Sequence, residues 1–198
     1  PYELGKIHEN GFLDIVIPDR KYAMELYIQA ASLGHVKSAA ILGKAYEIGD
    51  DIIPQDSDLS IHYYTQAALG GDSESMLSLC AWYLVGNPPN LEKDEREAFQ
   101  WALRAANSNL PKAQFAMGNF YEKGLGCDKD IEMAKNWYKR AAENNDERAK
   151  AKLSKIAPNL NYDQNNSKKK FMKKKSSSAS IDKLAAQDSK ENKNCIIM

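Results

Sequence analysis

The sequence predicts an all-α protein, an α-solenoid of stacked helix pairs followed by a disordered C-terminal tail. Three observations predict it. One unit is written four times: Ala30-Ala31 returns as Ala67-Ala68, Ala105-Ala106 and Ala141-Ala142, at steps of 37, 38 and 36 residues. A period in this range marks helix pairs that bury their apolar faces only by stacking on neighbours. Two further series keep the same register, Leu4-Gly5, Leu42-Gly43, Leu79-Cys80 and Met117-Gly118, and then Gly11, Gly49, Gly86 and Gly124. From Asn159 onward the chain turns to Asn, Lys, Ser and Gln, a composition that cannot offset its own ordering entropy.

Each element follows from local chemistry. The first unit, residues 1–35, carries Leu4-Gly5 on its first helix. Its register places Pro1 inside that helix, so further repeats are expected upstream. Gly11 ends the helix by accepting a positive φ. Asp19 is an N-cap candidate for the second helix, which carries Leu26-Tyr27 before its alanine pair. Leu33-Gly34-His35 turns into the second unit, residues 36–72. There Ser38, Leu42, Gly43 and Tyr46 put small residues on one helix face, where a neighbouring helix can approach closely. Ser57 or Asp58 is the cap candidate before Tyr63-Tyr64. The third unit, 73–110, has Asp94 as cap and Trp101 as its bulky group, and Cys80 stands where the other units have glycine. The fourth, 111–146, has Asp130 as cap and Trp137-Tyr138. Residues 147–158 repeat the first-helix pattern through Ala149 and Leu153 until Pro158 ends it, which predicts a capping helix. Residues 159–198 form the tail.

The fourth unit is the most regular. Its pattern Ala113-x3-Met117-Gly118-x2-Tyr121-x2-Gly124-x-Gly126-x3-Asp130-x3-Ala134-x2-Trp137-Tyr138-x2-Ala141-Ala142 resembles a Sel-1-like repeat nearly throughout. Tetratricopeptide repeats share the architecture but keep a period of about 34. The resemblance implies a right-handed superhelix, with first helices lining a concave side that is the usual partner surface.

Composition narrows the function classes. No apolar run approaches the roughly 18 residues of a transmembrane helix. Cys80, Cys127 and Cys195 are odd in number and far apart, which fits a reducing compartment rather than a disulfide framework or zinc site. His8, His35 and His62 form no ligand pair. With no nucleophile–base pattern, phosphate loop or paired carboxylates, neither catalysis nor a metal or other cofactor is expected.

One stripe departs from the repeat. First helices elsewhere show polar outward residues, such as Lys44 and Glu47 or Asn119 and Glu122. The third shows Leu77, Ala81 and Leu84 with Trp82 alongside, and Phe115 follows at the Leu77 position one repeat later. Two readings are open: an exposed apolar cluster that anchors a partner, or groups buried by the longer Asn87–Lys93 loop.

The tail reverses the charge of the body. Residues 1–158 hold 18 Lys+Arg against 23 Asp+Glu, and residues 159–198 hold 9 against 4. Lys168, Lys169, Lys170, Lys173, Lys174 and Lys175 flank Phe171-Met172. Ser176, Ser177, Ser178 and Ser180 follow as candidate phosphorylation sites beside that charge. The chain ends Cys195-Ile196-Ile197-Met198, an acceptor pattern for farnesylation at Cys195. One lipid gives only reversible attachment, and six lysines near an anionic leaflet supply the second signal. The lysine cluster alone reads equally as a nuclear import or nucleic-acid segment; beside Cys195 the membrane reading is favoured, and nucleic acid is not an expected partner.

Sel-1-like repeats followed by a basic Ser/Asn-rich tail and a prenylation box resemble the fungal chitin synthase regulatory proteins. That resemblance implies a non-enzymatic activator. It would bind a chitin synthase catalytic subunit and a bud-neck scaffold at the cytoplasmic face of the plasma membrane, at the bud neck or septum. The alternative is an adaptor in another membrane-associated signalling or protein quality-control complex.

Overall fold

The computed structural model describes residues 1–13 and 15–156. Among them are nine α-helices: α1 (Tyr2–Asn10), α2 (Arg20–Ser32), α3 (Val36–Ile48), α4 (Ser57–Leu69), α5 (Ser73–Val85), α6 (Glu95–Asn107), α7 (Pro111–Lys123), α8 (Ile131–Glu143) and α9 (Glu147–Ile156). They pack in chain order as four antiparallel pairs with α9 laid on the last, which is the expected solenoid. The predicted tail, with its lysines, serines and Cys195, lies outside the described residues.

The pairs close because small residues line the seam. Ala23, Ala67, Ala98, Ala102, Ala105, Ala113, Ala134 and Ala141 have no solvent exposure. Alanine at these positions brings helix axes close enough for the larger side chains to interlock on either side. Those larger groups are Tyr27, Leu42, Leu79, Met117 and Tyr138, each fully buried.

Every second helix starts on an aspartate: Asp19, Asp56, Asp94 and Asp130 accept from the backbone N–H of Tyr22, Leu59, Glu97 and Met133. The cap of α4 is therefore Asp56, not Ser57 or Asp58. A backbone bond selects it. The N–H groups of Asp19, Asp56, Asp94 and Asp130 donate to the carbonyls of His8, Tyr46, Tyr83 and Tyr121, at 2.7–2.9 Å. That bond pins one residue per unit against the end of the first helix, and the chain turns helical after it. Asp58, the second residue of α4, instead accepts from the side chains of Asn87 (2.8 Å) and Asn90 (2.7 Å).

These two bonds belong to a second seam. The loop of each unit lies against the first turn of the preceding unit's second helix. Asp50 pairs with Arg20, Asn87 and Asn90 reach Asp58, and Gly126 packs on the Glu95 carbonyl. On the opposite edge, Gln66 donates to the Ala31 carbonyl and Asn144 to the Gln114 side chain at 2.9 Å. The array is thus stapled at both edges as well as through its core.

Candidate functional site

The outward stripe of each first helix is built on a three-residue pattern that spans a helix pair. In the first, second and fourth units a glycine on the first helix faces a tyrosine ring from the second. A Cβ added at Gly5 or Gly43 would stand 2.7 Å from the ring of Tyr27 or Tyr64, and at Gly118 it would overlap the Tyr138 ring. One turn beyond each glycine stands a glutamate that accepts the tyrosine hydroxyl. Tyr27 donates to Glu9 at 2.7 Å, Tyr64 to Glu47 at 2.6 Å, and Tyr138 to Glu122. The glycine lets the ring lie on the helix backbone, and the ring delivers its hydroxyl to the carboxylate.

Burial and these bonds set the protonation behaviour. Tyr27, Tyr64 and Tyr138 are pushed well above the ordinary phenol range, first by burial and then by the carboxylate each one faces. Glu122 is held below the usual carboxylate range by its hydrogen bonds from Lys152 and Tyr138. The sign follows from linkage. A phenol whose folded pKa is raised stabilises the fold fully below the unfolded value, about 10, and that contribution is lost as pH climbs through the folded value. Tyrosinate absorbance is therefore expected to stay low for these three residues until the array unfolds, with stability falling from about pH 10 upward. Titration of all ten tyrosines as free phenols in a still-helical chain would contradict this.

The third unit keeps none of the pattern. In register its glycine is Cys80, its glutamate Leu84 and its tyrosine Ala102. The changes are coupled: Ala102 removes the ring, Cys80 moves into part of the space, and Leu84 replaces a carboxylate that would have no hydroxyl to accept. Cys80 is buried, which pushes its thiol up to about 12; it packs as a small apolar group. The glutamate–tyrosine bond was not recognised in the sequence, although Gly-x3-Glu followed 16–18 residues later by tyrosine is visible there in three units.

The stripe residues named from the sequence fall between the two readings. Leu77, Trp82 and Leu84 are half-buried against the core of the third and fourth units, and Ala81 is exposed. Phe115 is half-buried between the Tyr138 ring, at 5.4 Å, and the Arg148 guanidinium, at 4.6 Å. Cys127 lines an open cleft of about 580 Å³ with Lys93, Asp94, Glu95 and Arg96, its side chain packs against the core of the third and fourth units, and burial raises its pKa. Among the described residues no group of three or more His, Cys, Asp or Glu is placed to hold a metal ion, and no helix is long and apolar enough to cross a membrane. Cys195, the six lysines and the four serines lie outside the described residues.

Comparison with known proteins places this architecture. The Sel1 repeat model matches residues 2–35, 36–72, 73–110 and 111–146. The chain is 67% identical over 153 residues to the chitin synthase regulator SKT5 of Saccharomyces cerevisiae, covering 77% of this chain and 22% of that protein. It is 43% identical over 156 residues to the chitin synthase regulator SKT5 of Malassezia restricta, covering 79% of this chain and 11% of the relative. The chain thus spans about a fifth or less of the length of these relatives. Among solved structures it resembles c5321, a protective antigen of uropathogenic Escherichia coli, with a TM-score of 0.71 and 30% identity over 78% of this chain and 32% of that one. With four matched repeats spanning residues 2–146, the chain belongs to the Sel1 repeat family, and its array is similar in sequence to fungal chitin synthase regulators.

Proposed function

We propose that this chain is the partner-binding and membrane-anchoring part of a non-enzymatic regulator that binds, activates and positions a chitin synthase in cell-wall and septum synthesis. The observation that carries this reading is the 67% identity to a chitin synthase regulator over 153 residues, 77% of the chain. The repeats offer extended helix faces for a polypeptide, as solenoids do. The anchor is Cys195 carrying a farnesyl group, together with Lys168–Lys170 and Lys173–Lys175 on an anionic cytoplasmic leaflet. Ser176, Ser177, Ser178 and Ser180 would weaken that attachment when phosphorylated, by adding negative charge beside the lysines. Placement follows at the plasma membrane of the bud neck or septum.

The test is localisation of the longer protein carrying Cys195→Ser, with a chitin synthase as the co-precipitation target. Loss of membrane placement with retained chitin synthase binding is the expected result. Nuclear accumulation indifferent to Cys195→Ser, or no chitin synthase in the precipitate, would overturn it. Replacing the four serines with aspartate is expected to weaken binding to anionic vesicles at least about 10-fold, since four charges nominally worth about 1 kcal/mol each near the surface are reduced severalfold by screening and incomplete approach.

A further inference from the structure

Across the first helices three rows of outward residues can be read in register. They are Tyr2, Ala40, Leu77 and Phe115; Lys6, Lys44, Ala81 and Asn119; and Glu9, Glu47, Leu84 and Glu122. Ion pairs show that successive first helices lie side by side, since Glu74 on α5 meets Lys112 on α7 at 3.3 Å, and Glu122 on α7 meets Lys152 on α9 at 2.8 Å. The third row is chemically graded. Glu122 has a cation of its own in Lys152. Glu9 and Glu47 accept only a neutral phenol, and neither forms an ion pair among the described residues. Leu84, between Glu47 and Glu122, interrupts the row with an apolar group. The surrounding chain has the same bias, because residues 45–92 contain eight Asp and Glu and no Lys or Arg.

We infer that the first-helix face takes a basic–apolar polypeptide segment. A large aliphatic or aromatic residue of that segment seats on Leu84 beside Leu77 and Trp82, and Lys or Arg residues to one side of it lie over Glu47 and Glu9. This inference rests on the reading of the array as a partner-binding scaffold, and it specifies the chemistry of the partner. Three considerations set the orientation. The acids still available to a cation lie only toward the first unit, because Lys152 already neutralises Glu122. The apolar seat exists only in the third unit, where the tyrosine–glutamate bond is absent. Helix axes packed about 8–10 Å apart, against about 3.3 Å per residue of extended chain, separate the anchor from the first basic residue by about three positions and from the second by about six. Lys6 and Lys44 stand one turn before Glu9 and Glu47 in the adjacent row, so the partner's basic side chains are expected on the glutamate side.

The 198-residue chain is to be titrated against labelled 12-residue peptides with one Leu or Phe anchor and Arg three and six residues to one side, and against isomers with Glu in place of Arg. Arg peptides are expected to bind at least about 10-fold more tightly, with the difference shrinking as salt rises. Glu47→Gln, which keeps an acceptor for Tyr64, should weaken Arg peptides several-fold, and Lys44→Gln should not weaken them. Leu84→Glu should cost about 30-fold, as loss of an interface anchor does. To separate binding from folding, the triple variant Cys80→Gly, Leu84→Glu, Ala102→Tyr is decisive. It rebuilds the pattern of the neighbouring units, is expected to unfold at no lower a temperature, and should bind as weakly as Leu84→Glu.

Equal binding of Arg and Glu peptides, or undiminished binding by the triple variant, would overturn the inference. Peptides tiling the cytosolic segments of a chitin synthase separate its failure from failure of the proposed function. Tiles that bind through acidic segments, or bind the triple variant equally well, sink the inference and leave the regulator reading standing. No binding tile alongside tight Arg–Leu peptides does the reverse.

Discussion

Replacing Gly118 with cysteine is expected to destabilise the chain by about 3 kcal/mol, the upper range for overpacking a closed core. The new Cβ would overlap the Tyr138 ring and come within 2.8 Å of its Cζ. The ring cannot turn aside. Tyr138 has no solvent exposure, and its hydroxyl is bonded to Asn119 at 2.9 Å and to Glu122. The gain in helix propensity on removing a glycine is below about 1 kcal/mol, too small to reverse the sign. Tyr138→Ala alone should cost about 3–5 kcal/mol by leaving a cavity where the ring stood, while Glu122 loses the hydroxyl but keeps its ion pair with Lys152. The double variant copies Cys80 and Ala102 of the third unit, so its cost should fall short of the sum by about 1–3 kcal/mol. Urea unfolding of the four chains under reducing conditions measures this. Additive costs would show that ring and glycine are not coupled.

Gly126→Ala should be the most damaging loop change, at about 3 kcal/mol or more. Gly126 has φ +63°, and an added Cβ would stand 2.5 Å from the Glu95 carbonyl carbon and 3.0 Å from the Arg96 Cα. Both neighbours are backbone, in the first turn of α6, so no side-chain rotation relieves the clash. Gly71 is the control: its φ is +95°, but nothing lies within 4 Å of an added Cβ. Gly71→Ala therefore carries only the backbone strain of a positive φ, about 1–2 kcal/mol. In a nearest-neighbour array the Gly126→Ala damage should stay local. Hydrogen exchange is expected to rise across α7, α8 and α9 while α1 to α4 keep their protection. Equal losses for Gly126→Ala and Gly71→Ala would show that the loop does not staple the third unit to the fourth.

Both predictions concern contacts that join units or helices, and these divide what was legible from what was not. The repeat period, the glycines that end the first helices and the caps Asp19, Asp94 and Asp130 are readable because each depends on a few adjacent residues. The α4 cap was misplaced by one or two residues because Asp56, Ser57 and Asp58 are all competent locally. The choice was made by the Tyr46 carbonyl ten residues away. The odd third unit was noticed through Leu77, Ala81 and Leu84, but its cause was not. Cys80 reads as a small residue in a small slot until the helix pair shows that Ala102 has withdrawn the ring that made glycine necessary.

By itself the sequence determined a stack of helix pairs with one irregular unit, since local propensity and a fixed period suffice for that. Only the tertiary structure decided what the irregularity means. A glycine, a glutamate and a tyrosine acquire a joint role when the second helix folds back on the first, and their joint loss in the third unit leaves Leu84 half-buried between Glu47, which forms no ion pair among the described residues, and Glu122, which Lys152 neutralises. The grading of that face depends on which carboxylate meets which partner across the fold, and such pairings are fixed by packing rather than by position along the chain.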